Sequence, residues 1–432
     1  MQGSGLTDDS LYIDQKMNNP YLQSFQCTLC KSIYAVDTLL YTCPKCGEVG
    51  TLDMVYDFDA MRATLTRAAL TASRDFSMWR YRDLLPLAPG DAVPPLPVGW
   101  TPLVPTPRLA QIAGVADLWI KDDGRNPTAS FKDRASAMVV AHALAIGAEV
   151  VTTASTGNAA AALAGLCASA GLRAVIFVPA SAPEVKIAQL LVYGAQVFLV
   201  QGNYDDAFDL CMQAAARYGW YCRNTGINPY TTEGKKTAAF EIAEQMDWNV
   251  PDAVVVSVGD GSIIGGMHKG FADLHALGWI DRLPRLIGVQ ATGSAALATA
   301  WRAGSSGADI HPIAAQTIAD SIASDLPRDR VKAIRAVRET GGVYVTVSDE
   351  AILAAIPAVA RGSGVFMEPA CAAAWAGLQQ AVREGAIQPN ERVVLLGTGN
   401  GLKDVRAAMR TVGAGQPVGK QISDLDAILM PT

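Results

Sequence analysis

The 432-residue chain is 50% hydrophobic and 18% charged, with 39 glycines, 23 prolines and no low-complexity block, which excludes a disordered or fibrous protein. Its 35 Lys and Arg stand against 41 Asp and Glu, so the net charge is −6, and with no basic block it has little to offer nucleic-acid phosphates. The most apolar stretch, Ala135 to Ala170, is broken by Gly147, Glu149 and Asn158 without a basic flank, and Met1 to Pro20 lack the pattern of a leader, so no membrane span and a cytoplasmic location are expected.

Residues 1–56 are polar, turn-rich and hold four of the eight cysteines. Cys27-x2-Cys30, twelve intervening residues and Cys43-x2-Cys46 form two knuckles, with Pro44 and Gly47 supplying the second turn. That spacing brings four thiolates to one tetrahedral point and predicts a zinc ribbon with a structural zinc. Two disulfides are the alternative, disfavoured where no leader is seen. The knuckles carry only Lys31 and Lys45, with Glu48, Asp53 and Asp57 following, so a structural or interface role is expected. Residues 57–115 show two short helical patterns and a proline-dense connector from Pro86 to Pro107.

From 116 to about 410, β-rich runs alternate with mostly apolar helical patterns, which predicts an α/β core with parallel sheet covered on both faces. Strands are expected at Leu118–Lys121, Glu149–Thr152, Arg173–Val178, Gln196–Val200, Ala253–Val258, Arg285–Gln290, Val343–Thr346 and Arg392–Leu396. Helices are expected at Ala135–Ile146, Asn158–Ala170, Glu184–Tyr193, Tyr204–Tyr218, Thr237–Met246 and Ala370–Glu384. Two halves, about 150–250 and 251–410, are read as lobes with a cleft between them, and 411–432 as a tail. Cys167, Cys211, Cys222 and Cys371 lie in apolar segments and read as buried small hydrophobes.

Three stretches carry chemistry. In Asn126-Pro127-Thr128-Ala129-Ser130-Phe131-Lys132-Asp133-Arg134 a lysine stands where a helix opens, and the helix dipole there favours loss of its proton. A neutral amine can condense with an aldehyde; a capped helix with a surface lysine is the plainer alternative. Ser155-Thr156-Gly157-Asn158 sits between a strand and an alanine-rich helix, turning hydroxyls and free backbone N–H groups toward an anion. Gly259-Asp260-Gly261-Ser262-Ile263-Ile264-Gly265-Gly266 follows an apolar strand and suits a phosphate. A dinucleotide is less fitting, because the next strand ends at Gln290 with no acid for a ribose.

Together these residues resemble the threonine synthases and their relatives in the tryptophan-synthase-β-like fold, the two-lobed fold type II of pyridoxal-phosphate enzymes. The resemblance extends to Trp79-Arg80-Tyr81-Arg82-Asp83-Leu84-Leu85-Pro86, Gly99-Trp100-Thr101-Pro102-Leu103, Gly202-Asn203-Tyr204-Asp205-Asp206-Ala207, Glu368-Pro369-Ala370 and Thr398-Gly399-Asn400-Gly401-Leu402-Lys403-Asp404. It runs in consistent order from about 75 to 410. It implies that Lys132, beside Phe131, holds pyridoxal phosphate and acts as the base at the substrate Cα. By the same resemblance, Ser155, Thr156 and Gly157 hold the substrate carboxylate and Asn158 meets the cofactor's ring hydroxyl. Gly259, Asp260, Gly261, Ser262 and Ile263 then cradle its phosphate, the Asp260 carboxylate turned away to cap the loop, and the Thr398 hydroxyl meets the pyridine nitrogen. A homodimer acting on a small amino acid is implied, and a cysteine ribbon occurs in some members.

Some residues depart from the family. Its arginine ligand for the phosphohomoserine phosphate corresponds to Thr231 in Asn228-Pro229-Tyr230-Thr231-Thr232-Glu233-Gly234. The cradle's usual asparagines are Asp260 and Ile263, the usual Gly-Asn-Pro run is missing around Ser324-Asp325-Leu326-Pro327, and Asn400 stands where histidine is common. Lys235, Lys236 and Arg125 are candidate replacement cations, each with a solvated helix-end reading beside it. The expected activity is that of threonine synthase, which eliminates phosphate from phosphohomoserine and adds water at Cβ. The alternatives are β-elimination or β-replacement on serine-, threonine-, diaminopropionate- or phosphoserine-like substrates, as in dehydratases, diaminopropionate lyase or cysteate synthase, and a non-catalytic binding protein.

Overall fold

The computed structural model describes residues 19–36, 40–182 and 184–429; all but the last two residues of the Met1–Pro20 stretch, on which the expectation about a leader rests, lie outside them. Four strands open the described chain: β1 (Leu22–Cys27), β2 (Ile33–Tyr34), β3 (Thr42–Cys43) and β4 (Gly47–Tyr56), an antiparallel sheet in the order β2-β1-β4-β3. The knuckle turns use left-handed backbone at Lys31 (φ 62°) and Gly47 (φ 64°). Gly50 has no room for a side chain, since a Cβ there would lie 2.6 Å from Cys46 Cβ and 2.7 Å from Cys43 Cβ.

Next come α1 (Phe58–Thr64), α2 (Arg67–Ala72), β5 (Leu103–Pro105), α3 (Pro107–Ala113), β6 (Asp117–Asp122) and α4 (Lys132–Ala145). They are followed by β7 (Val150–Ala154), α5 (Asn158–Ala170), β8 (Arg173–Pro179), α6 (Glu184–Val192), β9 (Gln196–Val200), α7 (Tyr204–Tyr218), β10 (Tyr221–Cys222) and α8 (Tyr230–Gln245). The remainder is β11 (Ala253–Ser257), α9 (Ser262–Ala276), β12 (Arg285–Ala291), α10 (Ala296–Arg302), α11 (Arg330–Glu339), β13 (Tyr344–Val347), α12 (Asp349–Ser363), α13 (Pro369–Arg383), β14 (Arg392–Gly397), α14 (Val405–Met409) and α15 (Ile422–Leu429).

These strands make two further sheets, β10-β7-β8-β9 and β13-β12-β11-β14-β6-β5, parallel throughout except for β5. Within 150–410 the sheets divide between β10 and β11, near residue 250. The large sheet also takes β5 and β6 from before residue 150, because β6 pairs with β14 along its whole length, from Asp117↔Arg392 to Asp122↔Gly397. Val254, Val255 and Val256 of β11 and Val393, Val394 and Leu395 of β14 are fully buried, as strands with helices on both faces must be. Helix α8 packs on both α4 and α9 and is buried from Tyr230 to Ala243, so each of its polar side chains needs a partner inside the protein. Cys167, Cys211, Cys222 and Cys371 are all buried.

The ribbon lies on its own chain. Tyr56 donates to Glu233 Oε2 of α8 at 2.7 Å, Lys332 and Arg335 of α11 reach Leu52 O and Asp53 Oδ2 at 2.7 Å each, and the backbone N–H of Cys222 donates to the Tyr41 hydroxyl at 2.9 Å. Among the described residues no helix is long and apolar enough to cross a membrane.

Candidate active site

The carboxyl ends of four parallel strands converge on one cleft of about 370 Å³, where open α/β sheets bind ligands. Strand β6 leads through a turn to Lys132, β7 to Ser155–Asn158, β11 to Gly259–Ile264 and β14 to Thr398, and all of these line it. Two distant parts of the chain are stitched together here: Phe131 N–H donates to Thr398 O at 2.9 Å and Asn400 N–H to Ala129 O at 3.1 Å. Phe131 itself is fully buried under the guanidinium of Arg134 and does not line the cleft.

Lys132 is the first residue of α4, half-buried, and its amine makes no hydrogen bond or ion pair among the described residues. Burial first, then the charge of Arg223, pulls the amine below the usual lysine range; Glu368 and Asp260 push the other way. The turn before it is fixed by Asp133, which accepts from Thr128 N at 2.7 Å and from the Thr128 hydroxyl, and by a left-handed Ala129 (φ 65°). Burial raises the Asp133 carboxyl to about 6.

Ser155, Thr156 and Gly157 form the half-buried turn into α5. Asn158 Nδ2 donates to Glu368 Oε1 and Oε2 at 3.0 and 3.1 Å and to Ser321 Oγ at 3.4 Å. Glu368 is buried, and its carboxyl is raised by that burial. Gly259 presses on the segment at Ile322, where a Cβ would lie 2.7 Å from Ile322 Cα, and Gly261 takes φ 88° just before α9. Asp260 Oδ1 accepts from Arg328 N–H at 2.6 Å, so its carboxylate is spent on the neighbouring loop; burial raises its carboxyl to about 6. Ser262 accepts from Lys235, and Ser257 Oγ is buried without a partner. Ser324, Asp325 and Leu326 also line the cleft.

Thr231 does not. It is 1% exposed on the first turn of α8 and its hydroxyl donates back to Asn228 O at 2.8 Å. Of the candidate replacement cations, Arg125 is exposed, while Lys235 and Lys236 are fully buried and not solvated at all. Lys236 pairs with Glu233 and Asp273 and faces the Tyr56 ring, whereas Lys235 reaches the cradle. Arg223, Ser257 and Glu368 line the cleft although motif reading assigns them no role. Arg223 could have been suspected as the lone charge in the run Trp220-Tyr221-Cys222-Arg223-Asn224.

These residues fit the expected cofactor. An unpaired amine on the cleft wall, an orphan hydroxyl at Ser257, and backbone N–H groups with Lys235 at the start of α9 are donors for an aldehyde-bearing phosphate ester. At the other pole, the Sγ atoms of Cys27, Cys30, Cys43 and Cys46 all lie within 4.8 Å of one another, and none is in a disulfide. Four sulfurs about 2.3 Å from a tetrahedral metal stand roughly 3.8 Å apart, so the set could hold such an ion.

The family model for pyridoxal-phosphate dependent enzymes matches residues 95–399. Threonine synthase of Methanocaldococcus jannaschii is 40% identical over 387 residues, 89% of this chain and 94% of the relative. Threonine synthase of Methanosarcina acetivorans is 40% identical over 382 residues, 88% of this chain and 92% of the relative. Among solved structures, the processed form of threonine deaminase isoform 2 from Solanum lycopersicum superposes with a TM-score of 0.62 at 24% identity, over 73% of this chain and 84% of that one, a likeness of fold alone.

Proposed function

The chain belongs to the pyridoxal-phosphate dependent enzymes, as a lyase resembling threonine synthase, and on that premise we propose that it converts O-phosphohomoserine to threonine. The observation that carries this is one cleft bringing together Lys132, the Ser155–Asn158 turn and the Gly259–Ile263 loop, in a chain matching threonine synthases over nearly nine tenths of its length.

Lys132 would hold the cofactor aldehyde, the Gly259–Ile263 backbone with Ser262 and Lys235 would take its phosphate, and Asn158 and Thr398 would serve its ring hydroxyl and nitrogen. When bound, the cofactor supplies the electron sink for a carbanion at the substrate Cα. The Ser155–Gly157 turn fixes the substrate carboxylate at the start of α5, which sets the Cα proton toward Lys132. Once the substrate's amine had displaced it from the aldehyde, the freed Lys132 amine, already destabilised as a cation, would take that proton and return it later. Thr398 offers a hydroxyl where a carboxylate would hold the ring protonated. Glu368 restrains Asn158 through two hydrogen bonds and keeps it turned to the cleft. The four cysteines hold a structural zinc, the substrate is a small amino acid, and the molecule works as a cytoplasmic homodimer.

A second reading, β-elimination or β-replacement on another small amino acid, is favoured by one observation: Thr231 stands where the family arginine is expected, and it is buried off the cleft. One assay separates the two. Phosphate release and threonine formation from O-phosphohomoserine are measured beside ammonia release from serine and threonine. Activity in the first is expected, with Lys132→Ala lowering turnover at least about 10²–10⁴-fold; activity only in the second overturns the threonine synthase reading.

A further inference from the structure

Arg223 follows β10 and is 1% exposed. Its Nε donates to Ser136 Oγ at 3.1 Å and its Nη1 to Thr225 Oγ1 at 2.6 Å, while Nη2 is buried with no partner. Among the described residues no carboxylate forms an ion pair with it, although it lines the cleft beside Lys132, Ser155 and Thr225. The acids nearest the site are engaged elsewhere: Asp260 with Arg328 N–H, Asp133 with Thr128, Glu368 with Asn158. A buried guanidinium without a counter-charge is costly, and burial pushes Arg223 down to about 10. A protein keeps such a group where a ligand supplies the missing anion.

Which anion it takes follows from the layout. The cradle at the start of α9 already has a buried cation in Lys235, hydrogen-bonded to Ser262, and the Ser155–Gly157 turn offers backbone N–H groups for a carboxylate. Arg223 comes from neither element. It stands on the small-sheet side of the cleft, bonded to Ser136, which is one helical turn beyond Lys132. We propose that Arg223 is the substrate-binding residue for a third anion, the side-chain phosphate of the substrate, taken through Nη2 and the remaining N–H of Nη1. The proposal rests on the phosphate-ester reading above and gives that phosphate a ligand in place of an arginine at 231.

The test is calorimetric titration of the holoenzyme with inorganic phosphate, with cofactor content per chain and melting temperature as controls. Wild type is expected to bind phosphate, and Arg223→Met to weaken that binding at least tenfold and raise KM for O-phosphohomoserine by a similar factor, at unchanged cofactor content. Arg223→Lys, which keeps the charge but not the fork, is expected in between, and it carries the test if Arg223→Met does not fold. Unchanged phosphate affinity in the variants overturns the proposal, as does loss of cofactor from the variants while their remaining holoenzyme binds phosphate normally. If wild type releases phosphate from O-phosphohomoserine but the variants keep its KM, this proposal alone fails. If wild type neither binds phosphate nor releases it, the parent reading fails as well.

Discussion

Two residues beyond Lys132, Arg134 turns inward and forks between Asp123 Oδ2 at 2.6 Å and Glu241 Oε2 at 2.8 Å. Lys121 adds a second cation, 2.6 Å from Glu241, and all four side chains are fully buried. Two positive and two negative charges balance, which is why the cluster survives without water. Removing one partner strands the others, so Glu241→Gln should lower unfolding stability by about 3–5 kcal/mol, read by urea denaturation. Burial alone would raise the Glu241 carboxyl, but Arg134 and Lys121 outweigh it and hold it at about 2. A depressed carboxylate stabilises the fold above its unfolded value, near 4.3, and that contribution drains away as pH falls toward 2. Wild type should therefore lose stability more steeply than Glu241→Gln between pH 4.3 and 2; parallel curves would show that the carboxylate is not held by its partners. The places of Lys132, Asn158 and Thr398 on the cleft were legible in the sequence because each sits in a motif that follows a strand. Arg223 left only the weak signal of a lone charge in an uncharged run and Glu241 none, because a charged residue announces neither its burial nor its partners.

At the level of elements, legibility followed the punctuation. Helix α7 runs Tyr204–Tyr218 as expected because Asn203 and Asp206 make a capping box at its start and Gly219 (φ 66°) ends it. Helix α5 likewise stops at Gly171 (φ 73°). Helix α8 begins at Tyr230, seven residues before the expected Thr237, since Thr231, Thr232 and Gly234 are poor helix formers that packing overrides. Gly234 is needed there: a Cβ would lie 2.1 Å from Arg134 O. Proline hid β5, an edge strand, as it often does. In the ribbon, β4 alternates buried Leu52, Met54 and Tyr56 with half-buried Asp53 and Val55, but β2 and β3 are two residues each, too short for a pattern, and their pairing leans on the cysteine knuckles. Stripping metal should therefore act on this sheet first. A chelator in mild denaturant is expected to remove about one zinc per chain, open residues 22–56 to protease and lower the melting temperature; an unchanged digest and melt would mean the thiols hold the sheet without metal.

Across the whole molecule, Arg328 ties three regions together. Its guanidinium reaches Glu48 of the ribbon at 2.9 Å and Asp205 of α7 at 3.3 Å and lies 4.5 Å from the Phe208 ring centroid, while its backbone N–H holds Asp260 of the cradle. The ribbon and α7 thus both bear on the cleft through Arg328, which lines it. The large sheet has a different kind of dependence. Its strand β14, residues Arg392–Gly397, lies between β11 and β6, so two strands wait for one made after both. On the ribosome, the sheet β10-β7-β8-β9 can close while β6 and β11 still expose unpaired edges. A chain ending at residue 391 should accordingly be recovered as aggregate, whereas one ending at 410 should be soluble, as judged by the soluble fraction after synthesis. Translation speed between β11 and β14 then becomes a determinant of yield, because the fold stays open until its centre arrives.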